Sequence, residues 1–267
     1  MRSLFSTPAL LLATVVAPTS EAFQNLIPKF PTFGAPGASA ASKGTRGDPV
    51  LEEELLAAVG SQDGRLTNSD EIASIVRRLE EGGTTIVRPA IAPEVYGRWR
   101  LVHTTNADTA SPIQRKAVDA SKYEIYQNIE LAEGSDDRLI VSQVVKFGPT
   151  NELRVDALAS TAAYPLPELT TREGEGKILG LNILGVSLVG EDAMPDADRP
   201  DSRIDFVFDE GKFDLFDGAL KLPYPVPFRN PLFRDLVKGW IDVTYLSDRV
   251  RISRGNKGTT FVLVKEE

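Results

Sequence analysis

From Val95 onward the chain alternates between apolar and polar positions. Val95, Gly97, Trp99, Leu101 and His103 fall in one phase, with Arg98 and Arg100 between them. A period of two predicts a half-buried strand, because successive side chains point to opposite faces. The pattern recurs over residues 123–131 and 139–147, separated by Ala132-Glu-Gly-Ser-Asp136, and over 152–163. Residues 177–189 are apolar and spaced by Gly180, Gly185 and Gly190, which predicts strands with bulges or close backbone approaches. In 202–209, Ile204, Phe206 and Phe208 face one way and Arg203, Asp205 and Asp209 the other; Glu210-Gly211 reads as a turn into 212–216. Pro223-Tyr-Pro-Val-Pro-Phe228 can be neither helix nor central strand, since each proline lacks a backbone donor. Residues 239–246 alternate again through Ile241, Val243 and Tyr245. Two last β-prone runs, 250–253 and 259–264, are joined by Arg254-Gly-Asn-Lys-Gly258, a hairpin loop.

Ahead of the strands the period changes to that of a helix. Leu51, Leu55, Leu56 and Val59 share one face, with Glu52, Glu53 and Glu54 near the positive N-terminal end. Ile72, Ile75, Val76 and Leu79 form a second stripe over 69–81, capped by Thr67, Asn68 or Ser69 and stopped at Gly82-Gly83. The expected fold is therefore mainly β: a helical pair over 50–82, then about 8–10 antiparallel strands over 94–265, packed as a sandwich or closed as a barrel. Closure removes exposed sheet edges.

The N-terminus follows neither pattern. Residues 1–22 have Arg2 as a basic start, an apolar stretch over 9–17, and Ser20-Glu-Ala22 as a small-x-small cleavage site, which predicts a signal peptide. Residues 23–48 are rich in Pro, Gly, Ala and Ser, carry Lys29, Lys43 and Arg46 against Asp48, and read as a disordered, transit-peptide-like segment. The join Ser20-Glu-Ala-Phe-Gln24 resembles the bipartite presequence of algae with secondary plastids, which implies import through an ER-derived membrane into a plastid. Residues 49–267 are then the mature domain, with no transmembrane segment expected in it.

Composition narrows the chemistry. The 267 residues carry a net charge of −8, which disfavours nucleic acid, whose affinity comes from neutralising phosphates. There is no cysteine and one histidine, His103. Thiolate chemistry and His-rich metal sites are excluded, and no cofactor is implied. His103, in phase with Trp99 and Leu101, reads as a satisfied, partly buried histidine rather than a catalytic base. Asp205, Asp209, Asp214 and Asp217 read as solvated strand and turn positions. Arg254-Gly-Asn-Lys-Gly258 lacks the spacing of a phosphate loop and is followed by a strand rather than a helix.

Gly97-Arg-Trp99 opens the first strand and resembles the first-strand signature of lipocalin-like barrels, in which the tryptophan plugs one end. That resemblance implies a basic residue of the last strands packed over Trp99, either Arg251 or Arg254. The chain as a whole, from 49 to 264, is similar to the plastid lipid-associated protein family, the plastid fibrillins. The resemblance rests on the helical pair before Gly97-Arg-Trp-Arg-Leu-Val-His-Thr-Thr105, and on Pro223-Tyr-Pro-Val-Pro-Phe228. Its most specific part is Lys238-Gly-Trp-Ile-Asp-Val-Thr-Tyr245 with Arg251-Ile-Ser-Arg-Gly-Asn-Lys-Gly-Thr-Thr-Phe-Val-Leu263. The family's motif aspartate maps to Asp242. Residues 229–237 depart from the family pattern by lacking a Gly-Asp-containing stretch.

The resemblance implies a lipocalin-like antiparallel β-barrel, a plastid location, and a small hydrophobic ligand (a lipid, quinone or carotenoid), with peripheral association with plastid lipid globules, thylakoid membrane or stroma. Trp99, Phe147, Phe206, Phe208, Tyr245 and Phe261 are the candidate lining of such a barrel; Gly97, Trp99, Arg251 and Arg254 are the candidate closing residues. Two other readings stand beside it. One is a coat of lipid globules with no internal ligand, for which an apolar outer face over 181–189 would speak. The other is an enzyme using His103 with nearby acids.

Overall fold

The computed structural model describes residues 47–61, 69–82, 86–105, 123–170, 181–183, 186–188, 198–199, 201–232, 237–255 and 258–266. The presequence over 1–46, the cap candidates Thr67 and Asn68, Gly83 of the helix stop, and the side chains of 181–188 lie outside the described residues.

Two helices come first, α1 (Pro49–Ser61) and α2 (Asp70–Gly82). Asp48 caps α1, its Oδ1 accepting from the amides of Val50 and Leu51 at 3.1 Å. Ser69 caps α2 through Oγ to the Ile72 amide. Two short 3-10 turns, Pro89–Ile91 and Pro93–Val95, lead into the sheet.

The strands are β1 (Gly97–Thr104), β2 (Glu124–Leu131), β3 (Leu139–Lys146), β4 (Glu152–Ser160), β5 (Leu181–Ile183), β6 (Val186–Leu188), β7 (Arg203–Leu215), β8 (Leu220–Pro223), β9 (Lys238–Leu246), β10 (Val250–Gly255) and β11 (Thr260–Glu266). Nine of them pair in the order β4-β3-β2-β1-β11-β10-β9-β7-β8, and β4 also pairs with β7. That last pairing closes eight strands into an antiparallel barrel, with β8 attached outside the ring. β5 and β6 form a separate hairpin. The expectation of a mainly β, barrel-like fold behind two short helices holds.

β7 corrects the expected turn at Glu210-Gly211. It is one continuous strand of 13 residues. Its first half pairs with β9, its last residues pair with β8, and β4 runs along most of its length. Register passes from Ala157↔Phe208 to Asp156↔Glu210, so Asp209 is an extra residue that bends the strand. Gly211 is required by crowding rather than by a turn: a Cβ there would stand 2.7 Å from Cβ of Tyr224. The proline segment after β8 passes over the outside of the barrel, where Val226 and Phe228 bury against Val207, Val237 and Leu169.

Two further bulges set which side chains face inward. Register moves from Leu101↔Leu263 to His103↔Val262, so Val102 is an extra residue in β1. His103 therefore shares the face of Val262, under the helices, and is out of phase with Trp99 and Leu101. In β9 the pairs Val243↔Ser253 and Tyr245↔Ile252 leave Thr244 extra. Ile241 and Val243 pack inside, whereas Tyr245 turns out to join Leu55, Ile72, Val76 and Leu79 of the helical pair.

Candidate functional site

The barrel is filled at one end and hollow towards the other. Trp99 is fully buried at the end where β1 begins, packed with Val95, Ile129, Leu139 and Leu246. Its Nε1–H donates to the Val95 carbonyl at 2.8 Å. Gly97, two residues earlier, has φ +111°, a conformation open to glycine, and Lys265 passes beside it. The guanidinium of Arg251 and Nζ of Lys265 each lie 4.9 Å from the Trp99 ring centre. Lys265 also donates to the Glu94 carbonyl at 2.5 Å.

Arg251 thus supplies the cation over Trp99. Arg254 does not: three residues on, it faces out and binds Glu80 of α2 through two bonds of 2.9 and 2.6 Å. Arg251 is 0% exposed, and burial pushes its guanidinium pKa down to about 9. Its Nη2 donates to Gln127 Oε1.

Beyond this plug lies a partly open cavity of about 220 Å³. Leu101, Ile125, Val141, Ala157, Ile241 and Leu263 form most of its wall, with Phe206, Phe208 and Phe261 adding three rings. Phe206 and Phe208 meet edge-on, 5.5 Å between centres. Polar atoms enter from Gln127, Gln143 and Ser253.

The other proposed lining residues stand elsewhere. Trp99 belongs to the plug. Phe147 lies just past the end of β3 and packs edge-on against Phe213 at 6.4 Å. Tyr245 is outside the barrel, because the Thr244 bulge reverses its phase. Its hydroxyl donates to Glu52 Oε1 at 2.7 Å and accepts from the Asp48 amide at 2.9 Å. Burial first, and then Glu52, raise its pKa. Tyr245 is thus a tether for the helical pair. Asp242 also points away from the cavity. It forms a two-point ion pair with Arg203, its directly opposite neighbour, at 2.6 Å each, and Arg203 stacks 3.8 Å over Trp240. Sequence reasoning did not single out Gln127 or Ser253. Gln127 is in phase with Ile125 and Ile129, and Ser253 with Arg251; a polar residue on an inward phase was the available signal.

His103 is buried, and its Nδ1 has no hydrogen-bond partner among the described residues. Burial lowers its pKa. The unfolded chain then binds the proton more tightly than the folded one. Stability should be unaffected above about pH 6.5, fall as pH drops through that value, and level off below the folded pKa. The slope from this group is at most about 1.4 kcal/mol per pH unit. A His103→Phe variant should show a shallower loss of Tm between pH 7 and 5 than the parent; parallel curves would contradict a buried neutral imidazole.

Among the described residues no helix is long and apolar enough to cross a membrane. The PAP_fibrillin family model matches residues 50–166 and 199–264. The chain is 39% identical over 200 residues to a probable plastid-lipid-associated protein 12, chloroplastic, of Arabidopsis thaliana, covering 74% of this chain and 39% of that protein. It is 28% identical over 211 residues to a chromoplast-specific carotenoid-associated protein of Cucumis sativus, covering 73% of this chain and 60% of that one. It is 24% identical over 236 residues to a light-induced protein, chloroplastic, of Solanum tuberosum, covering 81% and 67%. The chain thus spans less than two thirds of the first two relatives. No solved structure gives a significant match.

Proposed function

The chain belongs to the PAP_fibrillin family, and from that premise we propose that it is a plastid protein that holds a small hydrophobic molecule, a lipid, quinone or carotenoid, inside its barrel. One observation carries the reading: a closed barrel keeps a cavity of about 220 Å³ with a mainly apolar wall instead of filling it. Eight-stranded barrels are narrow enough for side chains to fill, so retained space is informative. A dry apolar void of about 150 Å³ takes one benzene ring, and whole small-molecule sites run from roughly 300 Å³ upward. The cavity therefore suits one ring or a short length of chain, with the rest of a longer molecule leaving through the open side. The relatives' names, plastid-lipid-associated and carotenoid-associated, fit such a ligand class. The test is direct. The full chain, purified without detergent and exposed to plastid lipid extract, should retain a lipid, quinone or pigment near one-to-one, identified by mass spectrometry after repurification. Absence of any stoichiometric species would remove the carrier reading.

A second reading, a coat on lipid globules, has its own observation. The β7–β8 hairpin presents Phe216 at 64% exposure, Leu220 at 43% and Leu222 at 44%. Burying one such phenyl ring in lipid contributes about 1.5–3 kcal/mol. Phe216→Asp should reduce binding to neutral lipid droplets in a flotation assay by about tenfold or more, while leaving a ligand in the barrel in place. Unchanged flotation would count against the hairpin as a lipid contact.

A further inference from the structure

The cavity wall is mostly apolar, and Gln127, Gln143 and Ser253 are the polar side chains of interest in it. Ser253 lines the cavity at 1% exposure, and its Oγ has no hydrogen-bond partner among the described residues. Gln127 lines it too. Its Oε1 is taken by Arg251, which leaves the Nε2 amide as a donor for whatever occupies the space. Behind Gln127, Arg251 Nε and Nη1 are buried and unpartnered. Burial accounts for its lowered pKa, with no carboxylate among the described residues pulling the other way. A buried hydroxyl without a partner among the described residues and an amide donor thus line one otherwise oily space, and the amide's oxygen is held by a buried cation. Buried donors are normally satisfied, so donors left open in a cavity call for an explanation, and an acceptor on the cavity's occupant supplies one.

We propose that the ligand of this cavity carries an oxygen acceptor, a carbonyl or a carboxylate, at the buried end of its apolar body, and that this oxygen accepts from Ser253 Oγ–H and Gln127 Nε2–H. Arg251 polarises the Gln127 amide from behind and supplies the positive potential that favours the oxygen. A pure hydrocarbon fills the same volume but leaves both donors unanswered, so it binds more weakly. This rests on the reading of the cavity as a ligand site and narrows it to oxygen-headed molecules.

The test uses three probes with matched tails: decanoate, a decyl-substituted benzoquinone and decane. Each is titrated by calorimetry into the full chain and into Ser253→Ala. The Ser253 hydroxyl makes no hydrogen bond among the described residues, so its removal should leave the melting temperature unchanged. In the parent, at least one oxygenated probe should bind about tenfold more tightly than decane, a difference of about 1.4 kcal/mol. Ser253→Ala should abolish most of that margin by weakening the oxygenated probes. A preference for decanoate assigns an anion answered by Arg251; a preference for the quinone assigns a neutral carbonyl. Equal binding of all three probes, or a Ser253→Ala effect that is the same for decane, overturns the proposal while the cavity remains a ligand site. Binding by none of them removes the carrier reading itself.

Discussion

Trp99→Ala should destabilise the fold by about 3–5 kcal/mol, the range for emptying a large aromatic from a packed core. The indole is wholly buried and fills the closed end of the barrel. Its loss also strands the Val95 carbonyl, which accepts from Nε1–H. The same change removes the ring beneath Arg251 and Lys265, two cations that an aromatic face stabilises by about 0.5–2 kcal/mol each. A fall in Tm of roughly 6–20 °C follows, at about 2–4 °C per kcal/mol for a domain of this size. Trp99→Phe separates the contributions. It keeps part of the volume and a ring face but loses the donor, so it should fall between parent and Trp99→Ala. Urea titration gives both numbers. A loss for Trp99→Ala below about 1 kcal/mol would mean that the barrel end is held by its strands alone.

The plug was legible because Gly97-x-Trp99 stands at the start of an alternating run, and alternation fixes which side a residue faces. Arg251 and Arg254 illustrate how far that goes. They are three apart, so on an unbroken strand they must face opposite ways; parity decides that only one can reach Trp99, and the phase of β10 decides that it is Arg251. Alternation fails where a strand carries an extra residue. Val102 and Thr244 each insert one, and from there His103 and Tyr245 lie on the opposite face from the one their spacing predicts. Such a bulge is fixed by register against a partner strand: for Val102 that is β11, more than 150 residues away, and for Thr244 it is the next strand, β10. A local period carries no information about it. Gly211 misled for a related reason: glycine serves equally a turn and a close approach, and only the proximity of Tyr224 tells them apart. The same limit hid Ser253 and Gln127, because an unpartnered inward polar group becomes visible only when the space in front of it is known to be empty.

That empty space gives the largest expected effect on binding. Ala157 lies on β4 at the cavity wall, opposite Val141 on one side and Phe208 on the other. Ala157→Phe would put a phenyl ring where the ligand's apolar body is proposed to sit. In a filled core such a change costs about 1–3 kcal/mol, because neighbouring side chains must leave their rotamers. Here about 220 Å³ is already vacant, so the ring enters without displacing protein and recovers dispersion contacts that the void lacks. Stability should hold or rise. Affinity for an internal ligand should fall by about a hundredfold or more, since the ligand must now compete with a covalently attached ring; that factor corresponds to about 2.7 kcal/mol. The paired readout gives the result its meaning. Retained stability with lost binding places the ligand inside the barrel. Retained binding with lost stability would place it on the outer surface, where the β7–β8 hairpin and its exposed Phe216 become the lipid contact.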